Sequence, residues 1–340
     1  LYGGSGDDTF ITTLGDDVID GGTNSDTVDY SSINSALNVT LGASGDATVT
    51  IDGTDTLTAI ENLRGSNTQG DSIVGNAENN TFEGLGGDDT LKGAAGEDNL
   101  QGGSGNDRIF AGSGNDTIDG GNDTTGDWLD YTDTTNAMNV DLHAGTATGN
   151  GNDTITNIEH ILTGNGDDII QGNIYDNSIV AGSGNDTLTF NNATSSVVIN
   201  VSNNDGTSTG FGNDTFEDFE NFVGSAQTDT LVTNSIDNIT FDGAGSLDTI
   251  DYTSIGATDL TVTIDGSNPE TISDGTNTDS VSNVEIIKSG AGADTFNVSS
   301  TNGINTLDAG AGTDTLALSG TLDLSSVTLL NFENIIVKDG

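Results

Sequence analysis

The chain has 340 residues, with 54 acidic and 5 basic side chains and a formal net charge of −49. A surface this acidic repels nucleic acid and anionic lipid, and the absence of Cys removes disulfides, thiolate nucleophiles and Cys-ligated zinc. No run approaches the ~18 apolar residues of a membrane-spanning helix, so no membrane insertion is expected. Hydrophobic residues at 31% and aromatics at 5% are low for a core in a chain this long. Either the chain is disordered or something besides apolar burial holds it together, and divalent cations are the candidates.

Taken in order, the chain opens inside a repeat. Residues 3–11 read GGSGDDTFI, and degenerate copies carrying Asp17 and Asp26 follow, which makes 1–29 a block of repeat turns. Residues 30–74 form a longer module. Residues 75–130 hold the main repeat block, in a register of nine: 75–83 GNAENNTFE, 84–92 GLGGDDTLK, 93–101 GAAGEDNLQ, 102–110 GGSGNDRIF and 111–119 AGSGNDTID. The pattern is G-G-x-G-x-D-x-U-x, with U apolar. It returns at 163–171 and 181–189 within 131–189, and at 289–297 and 309–317 within 252–317; 190–251 is a module and 318–340 starts another. Asp-Thr followed by an apolar residue occurs twelve times. All these segments are expected to form one continuous solenoid, 1–340.

The modules repeat too. Each opens on Val28-Asp29-Tyr30, Leu129-Asp130-Tyr131, Leu188-Thr189-Phe190 or Ile250-Asp251-Tyr252, and continues into an alternating strand at 37–41, 138–142, 197–201 or 260–264. A Gly-rich connection leads to Asp-Thr-apolar (Asp55, Asp153, Asp214). An apolar-Glu pair ends the unit: Glu61, Glu159, Glu220, Glu285 and Glu333. Alternation predicts half-buried strands, so these modules supply core and continue the solenoid with wider coils. Each Glu is either a further ligand or a solvated strand end.

The nonapeptide has a physical reading. Gly at positions 1, 2 and 4 permits tight turns with positive φ. The x-U-x triplet fits only a three-residue strand. Two units make one 18-residue coil, and stacked coils make a parallel solenoid. Stacking then sets position-6 carboxylates of one side over each other, as Asp89 over Asp107. At about 5 Å and an effective dielectric near 20, such a pair costs about 3 kcal/mol. A hard dication between turns removes the repulsion. Ca²⁺ suits flexible sites of six to eight oxygens better than Mg²⁺ does, and roughly ten ions are expected from paired turns. Asx turns without metal are the competing account.

At these residues the sequence resembles the RTX family of nonapeptide-repeat proteins secreted by Gram-negative bacteria. The resemblance implies an all-β, right-handed parallel β-roll with Ca²⁺ between turns, one-step type I secretion, and folding outside the cell. It also implies side-chain ligands at position 6: Asp8, Asp17, Asp26, Asp89, Asp98, Asp107, Asp116, Asp127, Asp153, Asp168, Asp186, Asp214, Asp229, Asp248, Asp294 and Asp314. Carbonyls of turn glycines such as Gly103, Gly105, Gly112 and Gly114 complete the set on that resemblance. Asn80, Asn177 and Asn238 replace Asp and should mark weaker or empty sites. Asp52 lies outside the ligand register.

Other motifs are weak. Gly206-Thr-Ser208-Thr-Gly210 matches G-x-S-x-G but sits in a polar connection with no helix expected after it. His143 and His160 form no metal-binding motif, Trp128 reads as packing, and the bases Arg64, Lys92, Arg108, Lys288 and Lys338 are scattered. The expectation is a non-catalytic, calcium-stiffened segment of a larger secreted or cell-surface protein: an adhesin, matrix fibre or S-layer subunit. Its expected partners are calcium, further copies of itself or flanking repeats, and a cell-surface polysaccharide. A calcium-binding tail of a secreted enzyme or toxin is the alternative. A glycan- or ice-binding face is third, with ice disfavoured because Ser104, Ser113, Ala291 and Phe211 stand where Thr would be needed.

Overall fold

The computed structural model describes residues 1–51, 53–122 and 126–338; Asp52 falls outside them. Short β-strands of three to six residues account for nearly all the regular structure. The one helical element among the described residues is a 3₁₀ turn, Thr253–Ile255, and no helix is long and apolar enough to cross a membrane. Contacts group into two units, residues 1–167 and 168–340.

In the first unit, a four-stranded sheet joins Tyr2–Ser5, Val18–Thr23, Thr54–Thr58 and Ala47–Thr50, and from Asn62 onward the parallel strands alternate between two further sheets. Along one sheet the inward residues stack in register as Leu63, Phe82, Leu100, Ile118 and Ile155. Along the other they stack as Ile73, Leu91, Ile109, Leu129 and Ile161. All but Ile155, at 4%, are fully buried. Each strand presents one apolar residue inward and two outward because side chains alternate across a strand. Position 8 of the nonapeptide therefore makes the core, one residue per half-coil, each contributing about 1.5–3 kcal/mol on burial. In the second unit the ladders are Ile170, Leu188, Phe222, Phe241, Val281 and Ile199, Leu231, Ile250, Ile287, Leu307.

The long modules are built as antiparallel meanders rather than as simple wider coils. After Tyr131 the chain forms Asn139–Asp141, reverses into Thr146–Thr148, and reverses again into Asn152–Thr156. This last strand lies parallel to Thr117–Gly121 and rejoins the stack. Val198–Ser202, Asp205–Thr209 and Asn213–Glu217 repeat the device, as do Thr261–Ile264, Glu270–Ser273 and Thr278–Ser282. The module after Tyr30 pairs Ala47–Thr50 with Thr54–Thr58 in the same sense. At Asn203-Asn204 both φ angles are positive, 51° and 67°, the geometry of a two-residue hairpin turn matched to strand twist.

Candidate metal centre in the turns

Position 6 of each nonapeptide lies at the inner edge of a turn, immediately before a strand. Fourteen of the sixteen aspartates expected there are buried, from Asp26, Asp168, Asp186, Asp229, Asp248 and Asp314 at 0% exposure to Asp153 at 4%. Asp8 and Asp17 are half-buried.

The carboxylates form a ladder. One oxygen of each accepts the backbone N–H of the position-6 residue one coil earlier. Asp89 Oδ1 accepts from Asp71 N–H at 2.7 Å, Asp107 Oδ1 from Asp89 and Asp116 Oδ1 from Asp98, both at 2.8 Å. Asp248 Oδ1 accepts from Asp229 and Asp314 Oδ1 from Asp294, both at 2.7 Å. Some ladders run on to a meander aspartate, as Asp116 N–H to Asp153 Oδ1, and others meet the apolar-Glu pair of a module. Oε2 of Glu61, Glu159, Glu220, Glu285 and Glu333 accepts the N–H of Asp26, Asp127, Asp186, Asp248 and Asp314 at 2.8–3.0 Å. The recurring Glu is therefore a substitute rung, a use the sequence reading did not include.

The second oxygen distinguishes the sites. In Asp8, Asp26, Asp89, Asp98, Asp116, Asp248, Asp294 and Asp314, Oδ2 is buried and has no hydrogen-bond donor. It faces further acceptors. A Cβ placed on Gly84 would lie 2.1 Å from Asp89 Oδ2 and 2.6 Å from the Gly102 carbonyl oxygen. On Gly93 it would lie 2.3 Å from Asp98 Oδ2 and 2.5 Å from the Ala111 carbonyl oxygen. Each turn thus converges a carboxylate and a carbonyl on a point from which side-chain carbon is excluded. Gly103, Gly105, Gly112 and Gly114 all have left-handed φ, 115°, 124°, 92° and 145°, and stack directly over Leu85, Gly87, Ala94 and Gly96 of the coil before.

This arrangement is electrostatically unfavourable without a counter-charge. Burial, reinforced by the carboxylates of Asp107, Asp71 and Asp88, pushes Asp89 up to about 8. Burial with Asp153 and Asp98 nearby pushes Asp116 to about 7, and burial alone lifts Asp98 to about 6. Asp248 rises to about 7 by burial next to Asp229 and Glu285; burial also raises Asp294 and Asp314. Among the described residues no three His, Asp or Glu side chains gather into one metal-binding cluster. The donor set is instead one carboxyl oxygen per turn with backbone carbonyls, all hard oxygens. It fits a hard cation such as Ca²⁺.

Other aspartates have both oxygens engaged by protein groups. Asp153 Oδ2 accepts from the Tyr131 hydroxyl at 2.7 Å and Oδ1 from Asp116 N–H at 3.1 Å. Tyr30 and Tyr252 donate likewise to Asp55 at 3.2 Å and Asp279 at 2.9 Å. Where Phe190 replaces the tyrosine, Ser208 Oγ donates to Asp214 Oδ2 at 2.7 Å. Ser208 lies mid-strand and buried, with its hydroxyl committed, so its G-x-S-x-G surroundings form no strand-to-helix elbow. The aspartates that open the modules hold bases. Arg64 pairs with Asp29 at 3.1 Å, Arg108 with Asp130, and Lys288 with Asp251 at 3.1 Å. Two of the bases share one ring: Lys92 Nζ and Arg108 both sit over Phe110, 3.9 and 5.3 Å from its ring centre. Trp128 packs against His160, ring centres 4.8 Å apart. Asp71 and Asp279 are ladder members that the sequence reading missed; both precede Ser-apolar instead of Thr-apolar.

A family model described as the RTX calcium-binding nonapeptide repeat (4 copies) matches residues 2–32, 66–100, 92–124, 162–192 and 297–320. The chain carries RTX calcium-binding nonapeptide repeats. The matched stretches contain most of the nonapeptide turns, those of Asp229, Asp248 and Asp294 lying outside them, and the antiparallel meanders lie largely between the matches. No curated protein matches the chain. Among solved structures, the extracellular lipase LipA from Serratia marcescens is similar over 67% of this chain and 42% of that chain, with 12% sequence identity and a TM-score of 0.22. This chain thus spans less than half the length of that structure.

Proposed function

We propose that this chain is a non-catalytic structural segment of a larger secreted or cell-surface protein, whose RTX turns take up Ca²⁺ and thereby fold and stiffen the solenoid outside the cell. The observation that carries this reading is the set of buried Oδ2 atoms without donors, in Asp8, Asp26, Asp89, Asp98, Asp116, Asp248 and Asp314. Asp107, Asp168 and Asp186 occupy the same ladder positions. Ca²⁺ supplies positive charge and coordination to oxygens that have neither. Turn carbonyls, including those of Gly103, Gly105, Gly112 and Gly114, complete the coordination. The chain's own residues hold the carboxylates in place through the backbone N–H ladder and its Glu rungs. Because the ligands are brought together only by folding, calcium affinity is linked to stability. Where calcium is scarce, as before export, the repulsive turns oppose folding; in millimolar calcium they drive it.

The test is far-ultraviolet circular dichroism of the chain across an EDTA titration at pH 7.5. The β signal should fall with chelation and return on adding millimolar Ca²⁺, with Mg²⁺ restoring less. A spectrum unchanged in excess chelator would overturn the reading.

A further inference from the structure

Two kinds of turn recur among the described nonapeptides, separated by which group faces the position-6 side chain; the meander turns before Asp153 and Asp214, whose second residues Gly149 and Gly210 are also left-handed (φ 131° and 110°), stand apart because hydroxyls occupy Oδ2. In the first kind the second residue is left-handed: Gly4 (φ 98°), Gly22 (104°), Leu85 (77°), Ala94 (80°), Gly112 (92°), Ala244 (68°) and Gly310 (78°). The matching aspartates, Asp8, Asp26, Asp89, Asp98, Asp116, Asp248 and Asp314, are those whose Oδ2 lacks a donor. Asp294 stands outside both kinds: its second residue, Gly290, is not left-handed, and the Ser289 hydroxyl lies beside its carboxyl. Three of these left-handed residues carry a Cβ, a conformation that costs roughly 1–2 kcal/mol and persists only where the surroundings enforce it.

In the second kind the second residue has ordinary φ, and its N–H turns inward onto the position-6 side chain. Ser66 N–H donates to Asp71 Oδ2 at 2.6 Å, Asn76 to Asn80 Oδ1 at 3.1 Å, Asn173 to Asn177 Oδ1 at 2.9 Å, and Ser225 to Asp229 Oδ2 at 2.5 Å. The second residue is always Ser or Asn, and its side chain captures a later N–H of the same turn. Asn76 accepts from Glu78, Asn173 from Tyr175, Ser225 from Gln227 and Ser66 from Gln69. That local bond fixes the backbone so that its own N–H occupies the carboxylate. The first glycine is needed in both kinds: a Cβ on Gly65 would lie 2.1 Å from Asp71 Oδ2, as one on Gly84 would from Asp89 Oδ2.

Building on the calcium reading, we propose that the turns of Asp71, Asn80, Asn177 and Asp229 close without a cation, and that calcium enters only turns of the first kind. Gly-Ser or Gly-Asn at the start of the turn then marks it as metal-free, whatever acid or amide follows five residues after the glycine, or six in the one-residue-longer turn Gly65–Asp71. The first two of these turns flank the same strand, Ser72–Val74, so one whole coil is sealed on both sides. Its Asp71 and Asn80 N–H groups receive Asp89 and Asp98, the first carboxylates of the main block. This coil is a calcium-independent base on which the calcium-dependent coils stack.

The test is the number of calcium ions bound by the full chain after equilibrium dialysis, measured by elemental analysis. Asp98→Asn should lose at least one ion. Asp71→Asn should keep the wild-type number, and Asn80→Asp should gain none. A loss in Asp71→Asn equal to that in Asp98→Asn, or a gain in Asn80→Asp, overturns the assignment. Should Asp71→Asn fail to fold by circular dichroism, Asn80→Asp decides the matter. A wild-type chain that binds no calcium overturns the functional reading itself, a result distinct from either of these.

Discussion

Removing the Tyr131 hydroxyl should unseat a buried carboxylate, and a serine placed across the strand pair should restore it. Tyr131 is fully buried and Asp153 is 4% exposed. Their hydrogen bond, 2.7 Å, is the donor seen for Asp153 Oδ2, and burial beside Asp153 holds the tyrosine well above its ordinary pKa, so it stays a donor. A hydrogen bond to a charged group contributes about 1.5–3 kcal/mol, and leaving the acceptor buried and unsatisfied costs a similar amount or more. Tyr131→Phe is therefore expected to destabilise by about 2 kcal/mol, or about 4–8 °C in Tm for a unit of this size. The chain contains the compensation already. Ser208, which replaces the hydroxyl where Phe190 stands, is the cross-strand partner of Asp214. The equivalent partners of Asp55, Asp153 and Asp279 are Val49, Ala147 and Ile272, all apolar. Ala147→Ser should therefore cost little or be mildly unfavourable alone, yet recover about 1 kcal/mol or more in the Tyr131→Phe background. Thermal unfolding of the four proteins in saturating calcium, followed by circular dichroism, completes the cycle. Strictly additive effects would refute the claim that one hydroxyl per meander serves this carboxylate.

Further consequences concern the turns. Gly84→Ala would set a methyl 2.1 Å from Asp89 Oδ2, and should cost about 1–3 kcal/mol by overpacking and weaken calcium uptake. Gly245→Ala, with nothing within 4 Å and no left-handed φ, should be neutral or slightly stabilising; equal effects in urea unfolding would contradict the crowding argument. Without calcium, the raised pKa values of Asp89, about 8, Asp116, about 7, and Asp98, about 6, set the sign of the pH dependence. Their contribution is fully present below the unfolded carboxylate value of about 4 and is lost as pH rises through about 6–8. The chain in EDTA should therefore hold more β structure at pH 5 than at pH 8, and the opposite order would defeat this reasoning. Glu285→Ala, which removes the acceptor for Asp248 N–H at 2.8 Å, should cost about 1–2 kcal/mol, whereas Glu285→Gln keeps an amide oxygen and should recover most of it in the same melt.

The register of nine made the core readable in advance. Position 8 marked Phe82, Leu91, Leu100, Ile109 and Ile118, and all are fully buried. Position 6 marked the ladder because Asp-Thr-apolar fixes turn, carboxylate and strand within three residues. What escaped depends on contacts between distant residues. Thr146–Thr148 has nothing locally to distinguish it from a Gly/Thr-rich loop, and it becomes a strand by pairing on both edges. The role of Glu285 needs the N–H of Asp248, 37 residues earlier, and that of Tyr131 needs Asp153, 22 residues later. Asp71 and Asp279 could have been found by allowing Ser for Thr after the acid. The two kinds of turn are legible at position 2, but only once the inward N–H of Ser66 or Asn76 shows what Ser and Asn do there.

Those two kinds bear on why so many acids are retained. The coil does not require a carboxylate without a donor, because Ser66 and Ser225 close turns of the same glycine-first design with their own N–H groups. Nor must position 6 be acidic, because Asn80 and Asn177 serve in the ladder, each donating its N–H to the next carboxylate. A buried oxygen without a donor costs about 1–3 kcal/mol, and more when charged, and it recurs from Asp8 to Asp314. Other acids are accounted for from within: Asp29, Asp130 and Asp251 by bases, Asp55, Asp153, Asp214 and Asp279 by hydroxyls, and Asp71 and Asp229 by turn N–H groups. The Oδ2 atoms without donors form a class that these internal pairings leave out, in positions where a metal-free alternative was structurally at hand. Their retention is explained if the missing partner comes from outside, and the net charge of −49 then divides into acids the fold neutralises itself and acids reserved for calcium.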